Sequence, residues 1–143
     1  MFAATPLLVL PVLIYNLVTL TMPGLFHAVD AGARLTAPLF SIRMTSNVDW
    51  PVSLGDVLLA VGLVVLFIEL LKSASSRKAA IINHSLSMVL FIACLVEFLL
   101  FPAFATSTFF LLTLMVLLDV LAGFIVTIAS ARRDVGFGPA EDA

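Results

Sequence analysis

Three uninterrupted apolar runs constrain this chain more than anything else in it: "LGDVLLAVGLVVLFIELL" (54–71), "IINHSLSMVLFIACLVEFLLF" (81–101) and "FFLLTLMVLLDVLAGFIVTIA" (109–129). A helix crossing about 30 Å of hydrocarbon needs roughly 20 apolar residues at about 1.5 Å of rise each. Each run meets that requirement. A water-soluble fold would have to hide all three, and a chain of 143 residues leaves too much of its surface exposed to do so. The residues are 62% hydrophobic and only 11% charged, against about 25% charged in soluble domains. The sequence therefore predicts an all-α, polytopic membrane protein with residues 1–143 in one transmembrane domain.

The limits of the runs carry their own signals. Ser53 precedes the first, with Asp56 three residues on, the spacing of a capping box. Pro102 closes the second, and Arg132 and Arg133 follow the third. A fourth segment, "TPLLVLPVLIYNLVTLTMPG", is interrupted by Pro11 and closed by Pro23-Gly24. Thr5-Pro6 reads as an N-cap with proline at the first helical position, giving a span over about 6–22 that bends near Pro11. No basic residue precedes it and "VDAGA" is a poor cleavage site, so a retained helix is expected rather than a signal peptide. The expected architecture is a bundle of four transmembrane helices, 6–22, 54–71, 81–101 and 109–129, with an outer loop at 23–53 and a cytoplasmic tail at 131–143. Within the loop, His27, Asp30 and Arg34 recur at i, i+3 and i+7, as in a short helix lying in the membrane interface, and Trp50 suits headgroup depth.

Charge gives the sidedness. Five of the seven basic residues, Lys72, Arg77, Lys78, Arg132 and Arg133, fall on one side of this layout, whereas Arg34 and Arg43 share the other loop with Asp30 and Asp49. Cytoplasmic flanks hold the excess of Lys and Arg. Both termini are thus expected in the cytoplasm and the protein in a bacterial inner membrane. The net charge of −2 and the dispersed basic residues argue against a nucleic-acid partner. Cys94, the single cysteine, reads as a small buried filler. Two histidines, one in a loop and one in a span, do not supply the facing pair that a b-type haem needs. No G-x-S-x-G, H-E-x-x-H or phosphate-binding glycine loop occurs. No enzyme activity, metal or cofactor is expected, although a quinone or lipid site near His84 stays open.

Helical periodicity then sorts the polar residues within the spans. Gly55, Gly62, Glu69 and Ser73 fall on one face of the second span. Asn83, Ser87, Cys94 and Glu97 share a face of the third with His84 beside it, Thr108, Asp119, Gly123, Thr127 and Ser130 line the fourth, and Asn16 and Thr19 the first. Unpaired polar groups are costly in hydrocarbon, so these stripes should face one another or a partner, with the glycines allowing close approach of backbones. A charged side chain near the bilayer centre costs at least about 2.5–3.5 kcal/mol, which makes Glu69, Glu97 and Asp119 functional candidates. Counting from the span midpoints sets Asp119 at the midplane, Glu69 and His84 roughly 9 Å to the cytoplasmic side as an expected hydrogen-bonded pair, and Glu97 as far to the outer side.

This staircase has two readings. The first is a small accessory or assembly subunit of a larger membrane complex, docking its polar stripes against other subunits or further copies of itself. The second is an oligomeric proton- or cation-coupled transporter or channel using Glu69/His84, Asp119 and Glu97. The first is preferred: four short helices leave little room for a full pathway, and steps of roughly 9 Å far exceed a hydrogen bond of about 3 Å.

Overall fold

A computed structural model describes residues 5–21, 28–73 and 77–135. Among the described residues are five α-helices and one hairpin: α1 (Val9–Leu20), α2 (Ala28–Thr36), β1 (Pro38–Arg43), β2 (Asp49–Ser53), α3 (Leu54–Ser73), α4 (Arg77–Leu100) and α5 (Ser107–Val135), with a 3₁₀ turn at Pro102–Phe104 between α4 and α5. A short helix, α2, lies within the segment 23–53 as expected, although His27 and the tail from 136 onward lie outside the described residues.

Three helices are long and apolar enough to cross a membrane, over Leu54–Lys72, Ile82–Leu100 and Ser107–Ile128. The fourth span expected at 6–22 does not reach that length. Helix α1 has 12 residues, about 18 Å of rise. Its start lies at Val9 rather than at Thr5-Pro6, and the N-cap position is taken by Leu8 with no side-chain cap. Pro11 consequently falls in the first turn, where its missing N–H has no helical partner to lose. That position removes the need for the bend expected there.

The hairpin is the second departure, since an all-α chain was expected. Phe40 pairs with Val52, Ser41 with Pro51, Ile42 with Trp50 and Arg43 with Asp49, with an irregularity between Pro38 and Phe40. Pairing in this register puts Phe40, Ile42, Trp50 and Val52 on one face and Ser41, Arg43, Asp49 and Pro51 on the other. Aromatic and β-branched residues alternating with polar ones favour a strand. The connecting turn is closed by the Met44 N–H to Val48 O bond of 2.9 Å and turns through Asn47 at φ 61°, a left-handed conformation that asparagine tolerates better than most residues. Strand β2 runs directly into α3 through the capping box. Asp56 Oδ2 accepts from the Ser53 N–H at 2.9 Å and from its hydroxyl at 2.6 Å, while the Asp56 N–H donates to Ser53 Oγ at 3.2 Å.

Helix α5 is the most buried of the three long helices and α4 the least. The core lies between α5, α3 and α1, with Tyr15, Phe104 and Phe109 packed ring against ring and Leu8, Val12, Leu58, Leu112 and Val116 around them. Tyr15 is fully buried, and its hydroxyl pairs with Thr106 Oγ1 at 2.6 Å. Thr106 Oγ1 in turn accepts the Phe109 N–H at 3.2 Å, so the residue that starts α5 also anchors α1.

Two glycines set the α3–α5 approach. A Cβ on Gly55 would stand 2.8 Å from Thr108 Oγ1 and 3.0 Å from the Leu35 carbonyl oxygen, whereas one on Gly62 would meet the mobile ends of Met115 and Leu112 at 3.0 and 3.1 Å. Backbone cannot yield as a methionine tip can. Gly55→Ala is therefore expected to lower stability by about 1–3 kcal/mol through overpacking. Gly62→Ala should stay within about 1 kcal/mol of the parent, because the helix-propensity gain of alanine offsets the contact. Thermal melts of the two variants in detergent test that order.

Candidate functional site

Helix α4 supplies buried polar partners to both α3 and α5. Its Asn83, Ser87 and Cys94 are all buried along one face at spacings of four and seven, with Glu97 three residues further. Each of the three acids flagged in the spans meets a neighbouring helix at a different height.

Glu69 on α3 is fully buried. Its Oε2 accepts the Leu7 N–H at 2.7 Å, at the entry to α1. Its Oε1 accepts from the Asn83 side-chain amide and from Lys72 Nζ, the latter at 3.2 Å. Lys72 also donates to the Thr5 carbonyl at 2.7 Å and to Asn83 Oδ1 at 3.4 Å. One carboxylate thereby ties α1, α3 and α4 together. The expected Glu69–His84 pair does not form, because Asn83 occupies that position. Consecutive helical residues diverge by about 100°, so with Asn83 turned to α3, His84 turns to α5.

Asp119 on α5 is fully buried and accepts the Ser87 hydroxyl on Oδ2 at 2.5 Å, while its Oδ1 has no hydrogen-bond partner. Glu97 is half-buried and accepts from the Asn16 amide of α1 at 3.3 Å. Among the described residues, no direct hydrogen bond joins Glu69 to Asp119 or Asp119 to Glu97. Thr127 donates to the Gly123 carbonyl of its own helix at 2.9 Å. No cluster of three His, Cys, Asp or Glu suited to a metal occurs among the described residues.

His84 stands apart from these ties. Both ring nitrogens are buried and without a hydrogen-bond partner. The imidazole lies against Gly123 so closely that a Cβ there would fall 2.0 Å from its Cγ and Nδ1. Around it, between α4 and α5, opens a cleft of about 400 Å³ lined by His84, Ser85, Met88, Val120, Gly123, Phe124 and Thr127. Phe124 is 50% exposed, so the cleft reaches the outer surface of the bundle.

Sequence reasoning missed Lys72 as a site residue, using it only for sidedness. The signal was present in the i, i+3 spacing from Glu69. The Tyr15–Thr106 anchor has no such signal, because 91 residues separate its members. Comparison with family models, with characterised proteins and with solved structures finds no match for this chain.

Removing one partner of a buried ion pair leaves an uncompensated charge and typically costs about 3–5 kcal/mol, whereas removing both costs far less. Lys72 keeps some solvent contact, its side chain being 21% exposed, which places the expected cost at or below the low end of that range. Lys72→Met should thus destabilise more than the double variant Lys72→Met/Glu69→Gln. A double-mutant cycle on detergent melting curves reads the coupling, and additive effects would show that the pair is not one unit.

Proposed function

We propose that this chain is a small multi-pass protein of a bacterial inner membrane with both ends in the cytoplasm, serving as a non-catalytic accessory or assembly subunit of a larger membrane complex. The observation that carries this reading is that each intramembrane acid is engaged by a different helix of the same chain. Glu69 has Asn83 and Lys72, Asp119 has Ser87, and Glu97 has Asn16. Acids bonded this way act as ties between helices, which suits a packing role better than a conduction role. With the polar stripes turned to one another, contact with other subunits falls to the apolar exterior. Two parts of that exterior stand out: the lightly buried α4, and the hairpin face on which Phe40, Ile42 and Trp50 are each more than two-fifths exposed.

A transporter is the second reading, favoured by the unpartnered Asp119 Oδ1 and His84 nitrogens. Purification in mild detergent and reconstitution of the isolated chain separate the two. The subunit reading expects a stable larger complex that Asp119→Asn leaves intact, and no proton flux into liposomes. Flux that Asp119→Asn abolishes while the fold persists would overturn it.

The four-crossing layout has its own test. Helix α1 is held near the α3 C-terminal end by the Leu7 and Thr5 bonds and near the α5 N-terminal end by Tyr15, which supports a path from one side of the bundle toward the other. In a Cys94→Ala background, Ser46→Cys is expected to react with an impermeant thiol reagent on spheroplasts, and Thr5→Cys only after permeabilisation. Labelling of Thr5→Cys from outside would leave three crossings.

A further inference from the structure

A buried imidazole with nothing bonded to either nitrogen is an unfilled requirement. A neutral histidine offers one donor and one acceptor, and leaving a buried polar group unsatisfied is destabilising. Such groups in folded proteins call for a bound molecule or another specific account, whatever their individual cost. At His84 the surroundings describe what would satisfy it. The cleft of about 400 Å³ falls within the roughly 300–1,000 Å³ usual for small-molecule sites. Its walls, Met88, Val120 and Phe124, are apolar, and its polar groups gather at His84, Ser85 and Thr127. An apolar body with one hydrogen-bonding end matches that lining.

Position narrows the class. His84 lies seven residues from the midpoint of the Ile82–Leu100 span, roughly 10 Å from the midplane by helical rise. The hydrocarbon boundary is about 15 Å from the midplane, and phospholipid ester carbonyls lie near it. The imidazole therefore sits deeper than those esters, at a depth open to a lipid-dissolved ring. Entry is lateral, past the half-exposed Phe124. Gly123 is what makes the site, because any side chain there would displace the imidazole from the α5 backbone.

We propose that the α4–α5 cleft binds the head ring of a membrane-soluble quinone, with the His84 imidazole hydrogen-bonded to a ring oxygen and Met88, Val120 and Phe124 enclosing the ring. Both ring nitrogens are covered in this structure, so the imidazole turns toward the cleft on binding; its N–H then meets a quinone carbonyl, and its other nitrogen suits a quinol hydroxyl. The site is independent of whether the chain serves as a subunit or a transporter.

The test uses the full chain in detergent with a decyl-substituted benzoquinone as probe and decylbenzene, which has the tail and ring without oxygens, as comparison. Equilibrium dialysis should show saturable binding of the quinone and at least about tenfold weaker binding of decylbenzene, the worth of one buried hydrogen bond. His84→Leu and Gly123→Ala should each weaken the quinone by a similar factor, while Ser53→Ala leaves it unchanged. Histidine-selective ¹⁵N spectra of the unmodified chain should show a ring resonance, absent from His84→Leu, that moves on addition of the quinone; this reading stands even where a variant folds poorly. Absence of saturable binding, equal binding of decylbenzene, or an unmoved His84 resonance would overturn the proposal.

Discussion

Everything in this bundle depends on where α4 turns its polar face. In a low-dielectric interior an unpaired polar group is expensive, and α4 carries Asn83, Ser87 and Glu97 along one face. Turned inward, its Asn83 reaches Glu69 and its Ser87 reaches Asp119, while Glu97 takes the Asn16 amide. Turned outward, the same residues would stand in lipid with nothing to bond. One rotation of one helix thus gives each of three acids, on three helices, a hydrogen-bond partner. It also explains why α4 is the least buried of the long helices and still fixed in its orientation.

Glu69 shows how such a tie reaches beyond the pair that makes it. Its two oxygens accept the Leu7 N–H, hold Asn83 and take the charge of Lys72, so the amino-terminal segment, the end of α3 and the start of α4 meet at one carboxylate. At the opposite end, the Tyr15 and Thr106 pair does the same for α1 and α5. Between these two anchors α1 needs little length or propensity of its own, which is how a 12-residue helix holds its place beside helices about twice as long. Among the described residues, the His84 ring is the buried polar side chain these ties leave with no hydrogen bond, and it borders the cleft.

Much of this was legible in the sequence where the information is local. The three long helices follow from run length, the α3 start from Ser53 and Asp56, and the inward stripe of α4 from spacings of four and seven. The hairpin escaped because its apolar residues alternate in short runs inside a loop rich in polar residues. The period-two pattern of 40–43 and 48–52 about Asn47 was its only mark. The limits of α1 escaped because its entry is held by Glu69, 62 residues away, through the Leu7 N–H, a tie that no local pattern announces. The Glu69 partner was misread for a simpler reason: depth places Asn83 and His84 almost equally, and only the rotation of α4 chooses between neighbours. Spacing could say that polar residues share a face, but not which helix that face meets.

The central claim is that the polar stripes close on one another within a single chain. Engineered cysteines test it directly, with Ser87→Cys and Asp119→Cys combined in a Cys94→Ala background and oxidised in native membranes. The account predicts an intramolecular bridge, seen as a mobility change of the monomer band with no covalent dimer. A covalent dimer in place of that bridge would contradict it, because the stripe of α4 would then face another molecule.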